Sequence, residues 1–332
     1  MTVSTAAQPT PPGTGSAAAP LVAAVDLGGT KIAAALVDGD GALVARAQRP
    51  TPARADAETV ARAVLDTVDE LAAHPRWAEA AALGIGSAGP VDTAAGTVSP
   101  VNIASWRGFP LVGRVAGHPA VDVPVTLIGD GVAIAEAEAW RGAAAGYRNA
   151  LCMVVSTGVG GGLVLDGAVR PGPTGNAGHI GHISVDLDGD PCPCGSRGCV
   201  EILASGTAIA RYAREHGWQA PDGDTTAAAV AAGAAAGEAV PLAAFDRSAR
   251  ALAAGIAATA TLVELEAVVI GGGVAQAGPL LFEPLARHLA TYAALPFAQG
   301  IQVHRAVLGT DAGLVGAAAA AMRTVTSRPS TS

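Results

Sequence analysis

Short apolar segments separated by glycine turns form the first regular pattern in the chain. Leu21–Val25 and Lys31–Val37 are apolar runs on either side of a glycine turn, and Ala42–Ala47 follows the turn at Asp38–Gly41. Runs of this length joined by tight turns are typical of paired strands. The pattern therefore predicts a three-stranded antiparallel meander at the start of the fold.

A helix and two buried strands are predicted after the meander. One helix face, ended by His74-Pro75, is marked by the apolar residues Val60, Val64, Leu65, Val68 and Leu71. Ala82–Ile85 has the composition of a buried strand and leads into a loop over 86–92. Val123–Ile128 predicts a further strand, which places Gly129-Asp130 at its carboxyl end before a helix over about 131–144.

The second half of the chain repeats this logic. Leu151–Val155 predicts a strand, Ser156–Gly162 a glycine-rich turn, and Leu163–Leu165 a returning strand before the turn at Asp166-Gly167. The later predicted elements are helices near 206–216 and 241–265, the strand Ala267–Ile270, a helix near 280–293, the strand Ile301–Val307 and a terminal helix from about Asp311. Two halves that each open with a meander predict a duplicated α/β unit with a cleft between the halves.

The domain boundaries follow from this repeat. Residues 1–20 are rich in Pro, Thr, Ala and Gly and are predicted to form a disordered tail. We expect a smaller N-terminal α/β domain over 21–129 plus 312–325, and a larger domain over 130–311. The larger domain would carry a zinc-binding segment and the oligomerisation surface.

The composition excludes several classes of protein. Of the 332 residues, 50% are apolar and 14% are charged, which is typical of a compact globular protein. A net charge of −8 argues against a nucleic-acid binder. No apolar stretch reaches the roughly 20 residues that cross a bilayer, and the first residues lack the features of a secretory signal. Four cysteines, three of them within eight residues, favour metal ligation in a reducing compartment. We therefore expect a cytoplasmic protein.

The first glycine turn is a candidate phosphate-binding loop. Gly28 and Gly29 allow the backbone N–H groups to approach a phosphate closely, and Thr30 and Lys31 add side-chain donors. Asp26 could face a phosphate-bound Mg²⁺, usually through water. An ordinary turn with an acidic flank is the alternative interpretation of this segment taken alone.

Two further glycine clusters lie between predicted elements. Ser156–Gly162 joins two strands, and Gly271–Gly273 ends a strand and opens a helix. The first of these does not have the glycine spacing of dinucleotide-binding proteins, which argues against a nicotinamide-dependent oxidoreductase. Each cluster alone is more often a tight turn than a site. Three of them in strand–turn contexts favour a nucleotide cleft.

A dense group of cysteines follows a histidine. His182 precedes Cys192, Cys194 and Cys199, and three thiolates with one imidazole match the tetrahedral preference of zinc. Unliganded, reduced cysteines are the alternative. Cys152 lies within an apolar strand and is interpreted as a core residue.

Asp130 is the candidate general base. A carboxylate at the end of a strand, facing a cleft, can accept the proton of an attacking hydroxyl. The same position also suits a helix N-cap, and this interpretation is the stronger one for the residue alone.

Taken together, these motifs resemble the ROK family of sugar kinases and related repressors, over roughly residues 21–325. The most specific part is Gly178–His182, followed by the CxCGxxGC segment and Glu201. The resemblance implies an α/β, two-domain, actin-like ATPase fold (hexokinase/ribonuclease H-like) with an interdomain cleft and a zinc knuckle. It also implies Mg-ATP and a sugar as ligands, a structural zinc ion and a homodimer, without a nucleic-acid or membrane partner.

The resemblance assigns roles to individual residues. Contacts to ATP would come from Asp26, Gly28, Gly29, Thr30, Lys31, Thr157, Gly158, Gly160, Gly161, Gly271, Gly272 and Gly273. Contacts to the sugar would come from Gly89, Asn102, Asp130, His179, His182 and Glu201, with Asp130 as the catalytic base. Zinc would be held by His182, Cys192, Cys194 and Cys199.

Two departures from the family pattern bear on the sugar. Gly129 stands where the family usually has Asn, and His179 stands where the glucokinases generally have Glu. The AGHIGH segment is similar to that of bacterial N-acetylmannosamine kinases, although those kinases keep the Asn. We therefore expect transfer from ATP to the 6-hydroxyl of a hexose or N-acetylhexosamine, with N-acetylmannosamine first and glucose as the alternative. Polyphosphate as donor stays open, as does a sugar-sensing regulatory protein without kinase activity. A repressor would need an added DNA-binding domain.

Overall fold

A computed structural model of the protein describes residues 20–326. The predicted tail at residues 1–20 therefore lies outside the described residues, except for Pro20. In chain order the strands are β1 (Val22–Leu27), β2 (Lys31–Val37), β3 (Leu43–Pro50), β4 (Leu83–Ser87), β5 (Val91–Asp92), β6 (Thr97–Val98), β7 (Val125–Gly129), β8 (Ala150–Val155), β9 (Val159–Leu165), β10 (Ala168–Val169), β11 (Ala267–Gly271) and β12 (Gln302–Arg305). The helices are α1 (Ala57–Ala72), α2 (Leu111–Ala116), α3 (Asp130–Arg141), α4 (Val200–Ala204), α5 (Gly206–Glu215), α6 (Ala227–Ala235), α7 (Ala239–Val263), α8 (Pro279–Tyr292) and α9 (Ala312–Thr326).

Two five-stranded sheets share one topology. The first has the order β3-β2-β1-β4-β7 and the second the order β10-β9-β8-β11-β12. In each sheet the meander strands pair antiparallel, and the two later strands join in parallel. This confirms the duplicated α/β unit that the sequence pattern predicts.

Parallel pairing brings the acidic strand ends to one edge of the first sheet. Asp26 on β1 pairs with Gly86 on β4, and Ser87 on β4 pairs with Gly129 on β7. The carboxyl ends of these strands therefore lie side by side. Asp26 and Asp130 both leave the sheet at this edge.

The core of each half is a separate apolar cluster. Leu27, Ile32 and Trp106 are fully buried between the first sheet, α1 and α2. Met153 and Phe245 are buried in the same way between the second sheet and α7. The two clusters give each half its own core.

Helix α3 lies between the halves and approaches both through small residues. A Cβ on Gly131 would lie 2.3 Å from the Gly161 carbonyl oxygen of β9. A Cβ on Gly316 of α9 would overlap the Ala133 carbonyl oxygen of α3. Backbones can approach this closely only where side chains are absent. The glycine and alanine content of these helices thus allows α3 to touch β9 and α9 at once.

The sequence pattern located most elements but missed three helices. The predicted apolar face of α1 is confirmed, and so is the predicted strand Lys31–Val37. The predicted turn at Ser156–Gly162 is too long, because β9 already begins at Val159. Helices α2, α4 and α6 were not predicted; α6 consists of alanine, valine and glycine and has no polar face to reveal its period.

Within residues 20–326 no single helix is both long enough and apolar enough to span a membrane. Helices α6 and α7 satisfy the length and composition criteria only as a pair, and the pair is bent by 116°.

Candidate active site

The first glycine turn is closed and anchored by backbone contacts. The Gly28 N–H donates to the Lys31 carbonyl at 2.9 Å. Thr51 fixes the turn from the side, because its Oγ1 donates to the Gly28 carbonyl at 2.7 Å and its N–H donates to the Thr30 carbonyl at 3.0 Å. Burial raises the pKa of Asp26 to about 6, and the charge of Lys31 limits this rise. The turn therefore holds a fixed backbone beside a carboxylate that protonates easily.

Two glycine positions let side chains approach this turn. Gly313, in the first turn of α9, leaves room for Asp26, since a Cβ there would lie 2.5 Å from the Asp26 carboxyl carbon. Gly29 lies beneath Asn102, whose side chain would overlap a Cβ at that position. Asn102 thus lies over the first glycine turn.

Asp130 faces a small cavity between the two halves. The cavity has a volume of about 20 Å³. It is lined by Gly89, Gly129, Asp130, Gly131, Val132, Gly160, Gly161, Gly175, Asn176, Ala177 and His179. A volume of this size holds about one water molecule.

The carboxylate of Asp130 has the setting of a base. Its side chain is exposed to the cavity, but the surrounding walls restrict its solvation and raise the pKa of Asp130 above the ordinary value. The Gly131 N–H donates to its Oδ1 at 2.7 Å, and His179 opposes the rise in pKa through its charge. The N-cap interpretation is wrong: Gly129 is the N-cap of α3 and Asp130 is its first helical residue.

A much larger pocket, of about 690 Å³, lies beside the second glycine cluster. It is lined by Ser156, Thr157, Gly206, Thr207, Ala210, Arg211, Arg214, Thr225, Thr226, Ala227, Ala228, Ala231, Phe245, Gly273, Val274, Gln276 and Ala277. Most of these residues come from α5, α6 and the turn after β11. No local motif marks them, so sequence reasoning missed all but Ser156, Thr157 and Gly273.

The glycines predicted to bind the nucleotide are divided between the small cavity and the large pocket. Gly160 and Gly161 lie within β9 and line the small cavity with Asp130, while Gly273 lines the large pocket. Gly271 ends β11, and Gly272 follows at a φ of +90°. A Cβ on Gly272 would meet the Val155 carbonyl, so this glycine is required by close backbone packing.

Two loops from opposite halves meet at the rim of the small cavity. The Val91 N–H donates to Asn176 Oδ1 at 3.0 Å, and Asn176 Nδ2 donates back to the Val91 carbonyl at 2.7 Å. The Thr93 N–H also donates to the Thr174 carbonyl at 3.2 Å. Asn176 was not identified from the sequence, where its only signal is its place between Gly175 and His179.

Glu201 contacts the second glycine cluster. Its Oε2 accepts the Val159 N–H at 2.9 Å. Neither Glu201, Asn102 nor His182 lines the small cavity.

The predicted zinc ligands come together. One donor atom each from His182, Cys192, Cys194 and Cys199 lies within 4.8 Å of the others. The Cys194 and Cys199 sulfurs are 3.7 Å apart, and Cys192 Sγ lies 4.0 Å from His182 Nδ1. A tetrahedron with zinc–sulfur bonds of about 2.3 Å places its sulfurs about 3.8 Å apart. The donor set and its spacing therefore fit zinc, and the three cysteines are free thiols in the structure.

His182 connects this cluster to the small cavity. Its Nδ1 faces the sulfurs, and its ring stacks on His179 with the centroids 5.9 Å apart. A metal at Nδ1 would fix the tautomer and orientation of this ring. The cluster would thereby also hold His179 in position.

Comparisons with known proteins match nearly the whole chain. The family model described as ROK family matches residues 22–324. The glucokinase of Halalkalibacterium halodurans is 35% identical over 306 residues, which is 88% of this chain and 92% of that protein. The N-acetylmannosamine kinase of Yersinia pestis is 37% identical over 295 residues, covering 89% and 96%. The crystal structure of a ROK family glucokinase from Streptomyces griseus, in complex with glucose and AMPPNP, is 34% identical with a TM-score of 0.77, covering 91% of this chain and 99% of that one.

Proposed function

The chain belongs to the ROK family, and on this premise we propose that it is an ATP-dependent kinase for the 6-hydroxyl of a hexose or N-acetylhexosamine. One observation carries the proposal. Asp130, with a raised pKa, opens into a cavity whose wall strand β9 leads back within a few residues to Thr157 of the large pocket. A base beside one end of this loop and a nucleotide-sized pocket at its other end suit transfer between two substrates.

The small cavity would take the sugar and the large pocket the nucleotide. Asp130 would accept the proton of the attacking hydroxyl while the γ-phosphoryl group leaves in line. The N–H groups of the two glycine turns would hold the phosphates. Mg²⁺ bound with ATP would neutralise charge on the transferring group, and Asp26 would face it, usually through water.

Sugar entry requires the two halves to separate. A cavity of about 20 Å³ is far too small for a hexose. The contacts of Asn176 with Val91 join the two halves at one side of its rim, while Asp130 and His179 on its wall stay exposed. Opening would break them, and closure over the sugar would exclude the water that otherwise competes as phosphoryl acceptor.

The large pocket favours a nucleotide over polyphosphate as donor. Polyphosphate presents only charged groups, whereas this pocket combines apolar surface from Ala228 and Ala277 with polar groups from Thr225 and Gln276. Such a mixture suits a base and a ribose. ATP is accordingly the proposed donor.

N-acetylmannosamine is the proposed first substrate, with glucose as the alternative. His179 faces the cavity, at the position where this chain resembles N-acetylmannosamine kinases. Gly129 supplies no side-chain amide to the cavity wall, and a Cβ there would lie 3.2 Å from the Gly175 carbonyl oxygen, so sugar recognition at this wall falls to the neighbouring residues. Relatives of both activities match the chain at similar identity, 35% and 37%.

The test is ADP release with Mg-ATP across N-acetylmannosamine, N-acetylglucosamine, glucose, mannose and allose. We expect one sugar to give the highest kcat/KM and its 6-deoxy analogue to give no turnover. If zinc-replete protein binds a sugar but turns over none, the sugar-sensing regulatory function replaces the kinase.

The Gly313→Ala protein tests the proposed role of the first glycine turn. The added Cβ would displace the Asp26 carboxylate, so we expect kcat/KM for Mg-ATP to fall about 10- to 100-fold. Gly113→Ala is the matched control, because this exposed helical glycine has no atom within 4 Å of an added Cβ. Alanine stabilises an exposed helix by up to about 1 kcal/mol relative to glycine, so the control should keep its activity and have a Tm equal to or slightly above that of the wild type. If the two variants have equal kcat/KM for Mg-ATP, Asp26 does not contribute to nucleotide binding.

A further inference from the structure

The side-chain amide of Gln276, at the wall of the large pocket, has a fixed orientation. Gln276 lies in a 3₁₀ turn over Val274–Ala277, directly after Gly273. Its Oε1 accepts a hydrogen bond from Nη2 of Arg305 at 3.0 Å. A guanidinium group donates hydrogen bonds and accepts none, so the amide atom that faces Arg305 must be the oxygen. The positions of the oxygen and the nitrogen in this side chain are therefore set by its partner.

The backbone on both sides of this contact is anchored. Arg305 on β12 pairs with Ile270 on β11, and the Ala306 N–H donates to the Ile270 carbonyl at 3.0 Å. The Gln276 N–H donates to the Gly273 carbonyl at 3.2 Å. Among residues 20–326 no carboxylate forms an ion pair with Arg305, so no acidic side chain there competes for its guanidinium group. The contact therefore joins two positions that the fold holds in place.

The NH₂ group of Gln276 is the part of the amide that remains for a ligand. Gln276 lines the large pocket and Arg305 does not, so the amide oxygen is turned away from the pocket. In the planar amide group the nitrogen points away from the oxygen. Its two N–H groups donate to no acceptor in the part of the chain that the structure describes. Gln276 therefore offers a ligand two donors and no acceptor.

The hydroxyl groups of the pocket cannot discriminate in this way. Thr207 Oγ1 already donates to the Thr157 carbonyl at 2.9 Å, and Thr226 Oγ1 bonds to Oδ2 of Asp224 at 3.0 Å. The hydroxyl of Thr225 can rotate, so it donates or accepts as a ligand requires. A hydroxyl thus matches donors and acceptors alike, whereas the fixed amide of Gln276 matches only an acceptor.

We propose that Gln276 is a specificity-determining residue for the nucleotide, and that its NH₂ group donates to an unprotonated ring nitrogen of the adenine base. This proposal rests on the proposed function, in which the large pocket takes ATP. The ring nitrogens N1, N3 and N7 of adenine carry a lone pair and no hydrogen, so they only accept hydrogen bonds. Ribose hydroxyls both donate and accept, and an amide in either orientation would match them. An amide that only donates is therefore selective towards the base.

The contact with Arg305 contributes to this selection in two ways. It holds the side chain of Gln276 before the nucleotide arrives, which lowers the entropy that is lost on binding. It also prevents the amide from turning its oxygen to a base that presents a donor. Such a base would leave donors unpaired on both sides, which costs more than the loss of one hydrogen bond. Selection therefore works chiefly by rejecting a mismatched base.

The experiment compares by calorimetry the dissociation constants of Mg-ADP and of its 1-deaza, 3-deaza and 7-deaza analogues, each of which replaces one ring nitrogen with C–H. The 2′-deoxy analogue of ADP serves as the ribose probe. We expect one deaza analogue to bind the wild-type protein about fivefold more weakly than ADP, which corresponds to the loss of one neutral hydrogen bond. In Gln276→Met, a side chain of similar length without an N–H donor, ADP should bind about fivefold more weakly and that analogue should lose nothing further.

Two further variants test the donor itself and the effect of a Gln→Met change elsewhere. Gln276→Glu keeps an acceptor for Arg305 but turns only oxygen to the pocket, so ADP should bind more weakly than to Gln276→Met. Gln302→Met is the matched control, because Gln302 on β12 donates to the Gly300 carbonyl at 3.0 Å and does not line the large pocket. This control should bind ADP and all its analogues with the affinities of the wild type.

The outcomes keep this proposal distinct from the proposed function. Equal penalties for every deaza analogue in the wild type and in Gln276→Met overturn the proposal, as does a Gln276→Glu protein that binds ADP as tightly as the wild type. A penalty that depends on Gln276 only for 2′-deoxy-ADP places the amide at the ribose and overturns the contact with the base. If ADP binds and no penalty for a deaza analogue depends on Gln276, only this proposal fails. If ADP does not bind the wild-type protein, the proposed nucleotide pocket fails as well.

Discussion

Replacing Asp130 with Asn is expected to lower kcat by about 10²- to 10⁴-fold, which is the contribution typical of a general base. The substitution preserves shape and leaves an oxygen that can still accept the Gly131 N–H. It removes only the ability to take a proton from the sugar hydroxyl. Asp130 does not line the large pocket, so KM for ATP should change by less than about threefold. Coupled ADP release measures both constants.

The pH dependence gives a second readout of the same group. The pKa of Asp130 is raised above the ordinary Asp value, so the inactive, protonated form persists to a higher pH than for an exposed carboxylate. Asp26, with a pKa raised to about 6, titrates on the same side. As the pH falls, kcat/KM of the free enzyme should therefore decline with a slope above one. The residual activity of Asp130→Asn should decline with a slope of one.

Asp166→Asn is the matched control for this substitution. Asp166 occupies an exposed turn with a positive φ of 54°, a conformation that Asn tolerates well, and it pairs only with surface arginines. Its kcat should equal that of the wild type. If kcat of Asp130→Asn stays within threefold of the wild-type value, Asp130 is not the base and only supports the start of α3.

The regular part of the fold was accessible from the sequence because the apolar pattern is local. Alternating or continuous apolar runs bounded by Gly and Asp predicted the meanders, and apolar residues at helical spacing predicted α1. The first glycine turn was identified for the same reason, since its loop and both flanking strands are contiguous. Asp130 was identified because it directly follows a buried strand.

The division of the site into a small cavity and a large pocket could not be predicted from the sequence, because it depends on contacts between distant segments. Gly160 and Gly161 line the small cavity because β9 runs past α3, which the glycine spacing alone does not indicate. The large pocket combines α5, α6 and the turn after β11, and alanine-rich helices carry no periodic signal. Asn102 lies over Gly29 through a loop whose path no local pattern predicts.

Alanine and glycine show how composition can mislead. If the high alanine and glycine content is interpreted only as a bias in composition, it carries no information about function. In the structure they allow α3 to pack against α9 and β9 at backbone distance, with Gly131, Gly162 and Gly316 at the contacts. The small residues therefore set how closely α3 packs against the two halves.

Removing the proposed zinc ligand Cys199 is expected to have the largest effect on the fold. Cys199 is fully buried, and its sulfur lies among the other predicted ligands. We expect about one zinc ion per wild-type chain and none in Cys199→Ser. Loss of a structural metal should lower Tm by about 10 °C, from the usual 2–4 °C per kcal/mol for large domains. Elemental analysis and thermal unfolding measure these quantities.

The same substitution should raise the dissociation constant of the sugar, and this readout separates a structural metal from an indirect loss of activity. Without the metal, the His182 ring loses the partner that fixes its tautomer, and His179 stacked on it loses its support at the cavity wall. Cys152→Ala is the control, because this buried core cysteine lies in β8, away from the cluster. It should cost stability through a small cavity but keep its zinc and its sugar affinity. Wild-type protein that contains no zinc, yet unfolds and binds sugar as Cys199→Ser does, would identify the four residues as reduced, unliganded side chains.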